Sequence, residues 1–440
     1  MRFGTDGIRG VANSELTPEL ALRVGRAAAR VLGGPVITVG RDPRRSGPMI
    51  EAAFVAGACS EGVSVELLGV VPTPAVAYHS QTAHRPAAMI SASHNPFGDN
   101  GIKLFAPGGL KLSNEVQGRI EAVLDELLAG DTSPDVPVGA AVGTVGTHDV
   151  AADYRAHIEA SVGESALSGL NVVLDCGNGA ASAFAEATFA ELGATVTAIN
   201  VHPDGRNIND GGGSTDLAGL QAAVVERGAD VGFAFDGDAD RMLAVDAGGR
   251  VADGDQLLAI AAADLKGRGR LTHDTVVVTV MSNLGFRIGM RRLGIEVVDT
   301  AVGDRFVLEA LDAGGFVLGG EQSGHLIFRD RATTGDGLLS AVVVADIVAR
   351  AGVGLAELVD ATMTRLPQVL LNVAIGAPMP DVADRIADDL ARAAAELGES
   401  GRVLVRPSGT EPVVRVMVEA TEVATAQRWA DDLAAAVGAL

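Results

Sequence analysis

The chain has 440 residues, more than one ordinary core holds at about 100–200 residues per domain, so three or four domains are expected. Hydrophobic residues make up 48% of it but aromatics only 3%, so the interior is built from Ala, Val, Leu and Ile, the composition of helices packed on parallel sheet. A net charge of −22 excludes nucleic acid and acidic membrane surfaces as partners over most of the surface, and leaves room for a small anion only where arginines and backbone N–H groups locally reverse the field.

In chain order, the opening "MRFGTDGIRG" sets Arg9 among glycines and carries no apolar leader-like run. Next, "PVITVGRDPRRSGPMIEAAFVAGACSEG" runs from a β-branched stretch through a turn into a helical pattern, a strand–turn–helix unit of parallel sheet. Arg41, Arg44 and Arg45 follow its strand and read either as surface charge or as the lining of a phosphate cleft. In "MISASHNPFGDNGIKLF" Ser93 stands beside His94, between an apolar run and a string of turn formers ending at Lys103, one of only three lysines. Turn formers keep this backbone out of a helix and leave the hydroxyl presented by a loop. The Gly- and Pro-rich residues 129 to 148 read as a linker.

A second strand–turn–helix unit is "NVVLDCGNGAASAFAEATFAELG". After its sheet partner "VGFAF" comes "DGDADR". If that segment is extended, Asp236, Asp238 and Asp240 share one face. Three carboxylates about 4 Å apart repel by on the order of 4 kcal/mol per pair at an effective dielectric near 20, so a cation is the natural neutraliser, and an oxygen-only set favours Mg²⁺ or Ca²⁺ over zinc. An EF-hand does not fit, because Arg241 stands where that loop needs Gly and Ala247 where it needs Glu. An acidic solvated turn is the plainer reading of the same residues.

A break near residue 250 precedes the third unit, "DTVVVTVMSNLGFRIGMRRLG". In "VLGGEQSGHLIF" Glu321, Ser323 and His325 crowd a glycine turn, a pattern suited to sugar hydroxyls. The last seventy or so residues read β-α-β-β-α, a smaller α+β domain. Within it "VLVRPSGTEPVVRVMV" joins two strands by a loop in which Arg406, Ser408, Gly409, Thr410 and Arg415 make a candidate anion nest without a Walker-type lysine. The expected division is 1–148, 149–250, 251–367 and 368–440. Cys59 and Cys176, the only cysteines, have no metal-ligand spacing and read as buried thiols. No apolar run reaches the roughly 18 residues a membrane span needs, so a cytoplasmic protein is expected.

"MRFGTDGIRG", "SASHNP", "DGDADR", "GEQSGH" and "RPSGTEP", in this order over essentially the whole chain, resemble the α-D-phosphohexomutase superfamily. Ser91 stands where many members have Thr, a change that removes no chemical group. The resemblance implies three similar mixed α/β domains and a smaller C-terminal α+β domain around a central cleft. It makes Ser93 a phosphoserine whose phosphate completes a Mg²⁺ site with Asp236, Asp238 and Asp240. Arg9, Lys103 and His94 become candidate catalytic groups, Arg241, Glu321, Ser323 and His325 sugar or phosphate contacts, and the "RPSGT" loop the holder of the phosphate that does not react. It also implies glucosamine 1,6-bisphosphate, or glucose 1,6-bisphosphate, as intermediate and activator, a small phosphosugar as partner, and a possible homodimer. The motifs look most like the branch acting on glucosamine phosphates, with the mannose and glucose phosphate branches as the alternative. Two other classes stay open at this point, an aspartyl-phosphate enzyme using Asp236 and a non-catalytic sugar-phosphate sensor.

Overall fold

The computed structural model describes residues 7–130, 136–376, 379–408 and 413–440, and every count below is of those residues. They form two compact units, Met1–Met281 with Ile295–Ala361, and Ser282–Gly294 with Thr362–Leu440.

The first unit carries three mixed sheets. One contains β1 (Ile8–Val11), β2 (Val36–Arg41), β3 (Ser64–Val70), β4 (Ala87–Ile90), β5 (Asp99–Ala106), β6 (Leu110–Lys111) and β7 (Val145–Thr147), in the order β1-β5-β4-β2-β3-β7 with β6 on β5. The helices Pro18–Leu32 and Gly47–Ser60 pack against each other through glycines, because a Cβ on Gly25 would lie 2.1 Å from Phe54 O and one on Gly57 2.0 Å from Leu22 O. Thr17 starts the first of these helices by accepting the Leu20 N–H at 3.2 Å. Part of the segment read as a linker is β7, parallel to β3. All three of its residues are exposed, so neither alternation nor burial marks it in the sequence, and edge pairing alone makes it a strand.

The second sheet runs β12-β11-β10-β8-β9, from β8 (Asn171–Asp175), β9 (Thr195–Ile199), β10 (Val231–Phe235), β11 (Met242–Asp246) and β12 (Val251–Ala252). The third runs β14-β13-β15-β16, from β13 (Thr275–Thr279), β14 (Glu296–Thr300), β15 (Leu318–Gly320) and β16 (Leu326–Phe328). β10 and β13 are buried along their whole length, as strands covered on both faces must be. Loops at the carboxyl ends of parallel strands β4, β10 and β15 carry Ser93, the aspartates and Glu321.

The second unit is a three-stranded antiparallel sheet, β17 (Gln368–Ala374), β18 (Arg402–Pro407) and β19 (Val413–Glu419), in the order β17-β19-β18. Its core joins the strand residues Val414, Val416 and Val418 to Trp429 and Leu433 of the helix Val423–Gly438. Buried Glu419 accepts from Leu284 N at 2.9 Å and Arg402 Nε at 3.1 Å, which ties the helix Leu284–Arg292 into this unit. The architecture is the expected α/β class, three mixed α/β sheets and a small α+β domain. Both cysteines are buried and free. Among the described residues no single helix is long and apolar enough to cross a membrane.

Candidate active site

Ser93 is buried and left-handed, with φ 52°, a conformation costing a non-glycine residue on the order of 1–3 kcal/mol unless its surroundings enforce it. They do. Ser93 N donates to Ser91 Oγ at 2.9 Å, and that hydroxyl donates to Asp42 Oδ2 at 2.7 Å. Below the loop Arg44, 0% exposed, uses every donor of its guanidinium. Nε goes to Asp42 Oδ2 at 2.9 Å, Nη2 to the carbonyls of Ser93 and Asn95 at 2.8 Å each, and Nη1 to those of Asp99 at 3.1 Å and Pro96. Arg44 therefore neither lines a cleft nor faces solvent. Arg41 instead pairs with Glu51 at 3.2 Å, and Arg45 is exposed.

The three aspartates converge, but not by strand alternation. β10 ends at Phe235 and the chain turns at once, with Ala239 at φ 55°. A compact turn gathers one oxygen of each carboxylate to within 4.8 Å of the others. The turn also meets the serine loop so closely that a Cβ on Gly237 would sit 2.7 Å from Ser93 O. Ser93 Oγ donates to Asp236 Oδ2 at 2.5 Å and lies 3.3 Å from His94 Nδ1. Lys103 Nζ bridges Asp238 Oδ2 at 2.7 Å and Asp240 Oδ2 at 3.0 Å, and the Thr73 hydroxyl donates to Asp238 Oδ2 at 2.5 Å.

Asp238 Oδ1 and Asp240 Oδ1 are buried with no hydrogen-bond partner. Two orphaned carboxylate oxygens in a buried cluster whose three aspartates each bring one oxygen within 4.8 Å of the others fit a hard divalent cation such as Mg²⁺. The electrostatics agree. Burial, then the charges of Asp240 and Asp238, push Asp236 well above the usual carboxylate range. In Asp240 burial acts in the same direction but Lys103, His325 and Arg241 outweigh it, and the group sits well below that range. Burial, with Arg241 and Arg9 nearby, lowers His94 to about 4, so its ring is neutral at pH 7 and able to accept a proton.

Around this core stand the remaining groups. Arg241 N donates to Asp236 Oδ1 at 3.2 Å, and its Nε lies 3.8 Å from Asp240 Oδ1. Glu321 Oε1 accepts from Gly303 N at 3.1 Å, and Ser323 is exposed at the tip of its turn. His325 Nδ1 lies 3.7 Å from Asp240 Oδ1, while Nε2 accepts from Gly335 N at 3.2 Å and lies 3.4 Å from Asp304 Oδ2. Although burial alone would lower His325, the carboxylates of Asp240, Asp304 and Glu321 raise it above its ordinary value. The sequence reading missed Thr73, Asp304, and Lys111, which pairs with Asp304. Only the rarity of lysine hinted at Lys111.

In the second unit Arg406 and Arg415 stand opposite each other across β18 and β19. Burial and the charge of Arg415 lower Arg406, the electrostatics of a pair that an anion would relieve. Ser408 N closes the loop base on Val413 O at 2.8 Å. Gly409 and Thr410 lie outside the described residues.

Four family models cover the chain in order. They are phosphoglucomutase/phosphomannomutase alpha/beta/alpha domain I over residues 1–129, domain II over 152–249, domain III over 253–366 and the C-terminal domain over 370–436. The chain belongs to the phosphoglucomutase/phosphomannomutase family. Within it, the chain is 53% identical over 449 residues to the phosphoglucosamine mutase of Rhodococcus jostii (strain RHA1), spanning 100% of this chain and 99% of that one. Among solved structures it matches a phosphoglucomutase/phosphomannomutase family protein of Burkholderia thailandensis with TM-score 0.82 and 27% identity, over 99% of this chain and 97% of that one. It shares a fold with the N-acetylphosphoglucosamine mutase of Aspergillus fumigatus in complex with GlcNAc-6P and magnesium, with TM-score 0.68 and 19% identity over 100% and 96% of the two chains.

Proposed function

We propose that the protein is a phosphohexomutase that interconverts glucosamine 6-phosphate and glucosamine 1-phosphate through phospho-Ser93 and a bound 1,6-bisphosphate, feeding UDP-N-acetylglucosamine and cell-wall precursor synthesis. The observation that carries this reading is the Ser93 hydroxyl 2.5 Å from Asp236, inside the aspartate cluster. The relatives named phosphoglucosamine mutase, at 53% identity over the full chain, favour the amino sugar over mannose or glucose phosphates.

The buried loop holds the phosphoserine oxygen against the metal loop, so little reorganisation is needed when the phosphoryl group moves. In the first half-reaction the bond from phosphorus to Ser93 Oγ breaks and one to the C1 oxygen of glucosamine 6-phosphate forms. The C1 hydroxyl gives up a proton to neutral His94, and the departing Ser93 Oγ takes one up, with His325, whose carboxylate neighbours favour its protonated form, as the candidate donor. Lys103 and Arg9 carry fixed positive charge toward the phosphoryl oxygens. Held by Asp236, Asp238 and Asp240, Mg²⁺ would add the charge that stabilises a loose, anionic transition state. The bisphosphate then turns end for end, the bond from phosphorus to O6 breaks and one to Ser93 Oγ forms, the serine hydroxyl giving up its proton and O6 taking one up. Glu321, Ser323 and Arg241 hold the sugar. Arg406, Ser408, Gly409, Thr410 and Arg415 hold whichever phosphate is not reacting, and a nest of general anion donors suits either one. Four segments, 1–148, 149–250, 251–367 and 368–440, form the domains of this enzyme. Each sheet falls within one of them except for β12, at 251–252, while Ser282–Gly294 of the third segment belongs to the same compact unit as the fourth.

The test is mass spectrometry of the peptide containing Ser93 together with a coupled assay of Ser93→Ala. We expect an acid-stable phosphate on Ser93 and a loss of turnover of at least about 10³-fold in the variant. Phosphate on Asp236, or wild-type turnover by Ser93→Ala, would overturn the proposal.

A further inference from the structure

A cavity of about 530 Å³ lies between the helices Gly254–Gly267 and Gly337–Ala351 and the segment after the helix Ala151–Glu159. None of its lining residues belongs to the serine, metal or sugar loops. Four guanidiniums line it, those of Arg268, Arg270, Arg331 and Arg350. Against them stand the lining carboxylates Asp264 and Asp346, and Asp330, which Arg270 approaches at 3.3 Å. Four positive charges against three negative make this a cationic locus on a chain of net charge −22.

The arginines are not equally committed. Arg350 is held twice, by Asp346 at 2.8 Å and Asp264 at 2.9 Å. Arg268 reaches Asp264 at only 3.4 Å and keeps 42% of its side chain exposed. Arg331 is fixed over the Phe328 ring, 5.6 Å from its centroid, and comes no nearer to Asp330 than 3.8 Å. Its Nη1 is buried without a hydrogen-bond partner, and the same holds for Ser161 Oγ in the same lining. A buried donor left unpaired costs stability, and an anion whose oxygens reached both of these lining residues would relieve that cost. The rest of the wall includes Val162, Leu265 and Ile347. A volume of this size suits a small organic molecule. An apolar wall suits a planar base better than a polyhydroxylated sugar, and several guanidiniums suit more than one phosphate.

We propose that this cavity binds a phosphorylated organic anion of nucleoside diphosphate size, with its phosphate oxygens on Arg331, Arg268 and Ser161 and its base against the apolar wall. The site is separate from the mutase site, and its occupancy does not depend on the assignment of that reaction.

The experiment is equilibrium dialysis of ADP against the full chain without divalent metal, with pyrophosphate and adenosine as competitors. We expect one saturable site with a Kd below about 1 mM, strong competition by pyrophosphate and weak competition by adenosine. Binding should weaken at least about tenfold in Arg331→Met, by a smaller factor in the exposed-site variant Arg268→Gln, and not at all in Arg241→Met. Turnover of phosphosugar should stay within about twofold of wild type in Arg331→Met and Arg268→Gln. The proposal fails if no saturable binding is seen, if adenosine competes as well as pyrophosphate, if binding survives in the Arg331→Met/Arg268→Gln double variant, or if Arg241→Met abolishes it.

Discussion

Arg44 and Arg331 are both largely buried guanidiniums, and the protein uses them in opposite ways. All five donors of Arg44 end on protein oxygens, four carbonyls of the serine loop and its base plus Asp42. Arg331 keeps a buried Nη1 with no acceptor, above an aromatic ring and beside three more arginines. Charge and burial do not separate a structural arginine from a binding one. Completed donor accounting does, because a guanidinium with all five N–H groups satisfied has nothing left for a ligand.

The sharpest way to break that comparison is to remove Arg44. Arg44→Met strands Asp42 and four carbonyls in the interior, and we expect a loss of about 3–5 kcal/mol of stability, the range for breaking a buried ion pair from one side. Chemical denaturation gives the stability, and phosphorylation of Ser93 reports on the loop. Arg44→Lys separates charge from geometry. Lysine restores the charge, but its three donors on one nitrogen cannot reach five acceptors, so most of the loss should persist. Full rescue by lysine would show that Arg44 acts as a charge rather than as a clamp.

The same contrast explains what the sequence could tell. Three strand–turn–helix units, the C-terminal α+β pattern and the loops of Ser93, the aspartates and Glu321 were legible because they rest on local signals, runs of β-branched residues, turn formers and helical periodicity. The aspartate triplet was legible as composition, yet its geometry was misread, since a left-handed Ala239 is not announced by its residue type. Arg44 was ambiguous between surface and cleft because its partners, from Ser93 to Asp99, lie some fifty residues away. Asp304 and Thr73 were missed for the same reason, as long-range packing makes them part of the site. β7 was lost because an exposed edge strand carries no alternation.

A smaller effect is expected where a buried carboxylate has no guanidinium. Asp336 is 2% exposed and accepts from Leu339 N at 2.9 Å and from the Tyr154 hydroxyl at 2.9 Å, with no cation among these partners. Burial raises it to about 6. Between roughly pH 4 and pH 6 the unfolded carboxyl releases its proton while the folded one keeps it, so the folded state binds more protons and stability falls as pH rises. Above pH 6 the loss is complete, about 3 kcal/mol for a carboxyl raised from near 4 to about 6. Asp336→Asn keeps the acceptor for Leu339 N without the charge. Urea unfolding from pH 4 to 7 should show the variant gaining on the wild type by up to that amount as pH rises, and parallel profiles would show that Asp336 is not the group responsible.

The smallest effect is predicted for Arg331→Met. The guanidinium gives up only a ring contact at Phe328 and a distant approach to Asp330, and its removal relieves repulsion from Arg268 and Arg270, which together with burial lowers its affinity for a proton. A cation–π contact contributes about 0.5–1 kcal/mol and a loose ion pair less, so stability should stay within about 1 kcal/mol of wild type in a ligand-free preparation. The same substitution at Arg44 should cost several times more. If the two methionine variants unfold at the same denaturant concentration, Arg331 is as much a part of the scaffold as Arg44. The unsatisfied donor would then mark an imperfection of packing rather than a place prepared for an anion.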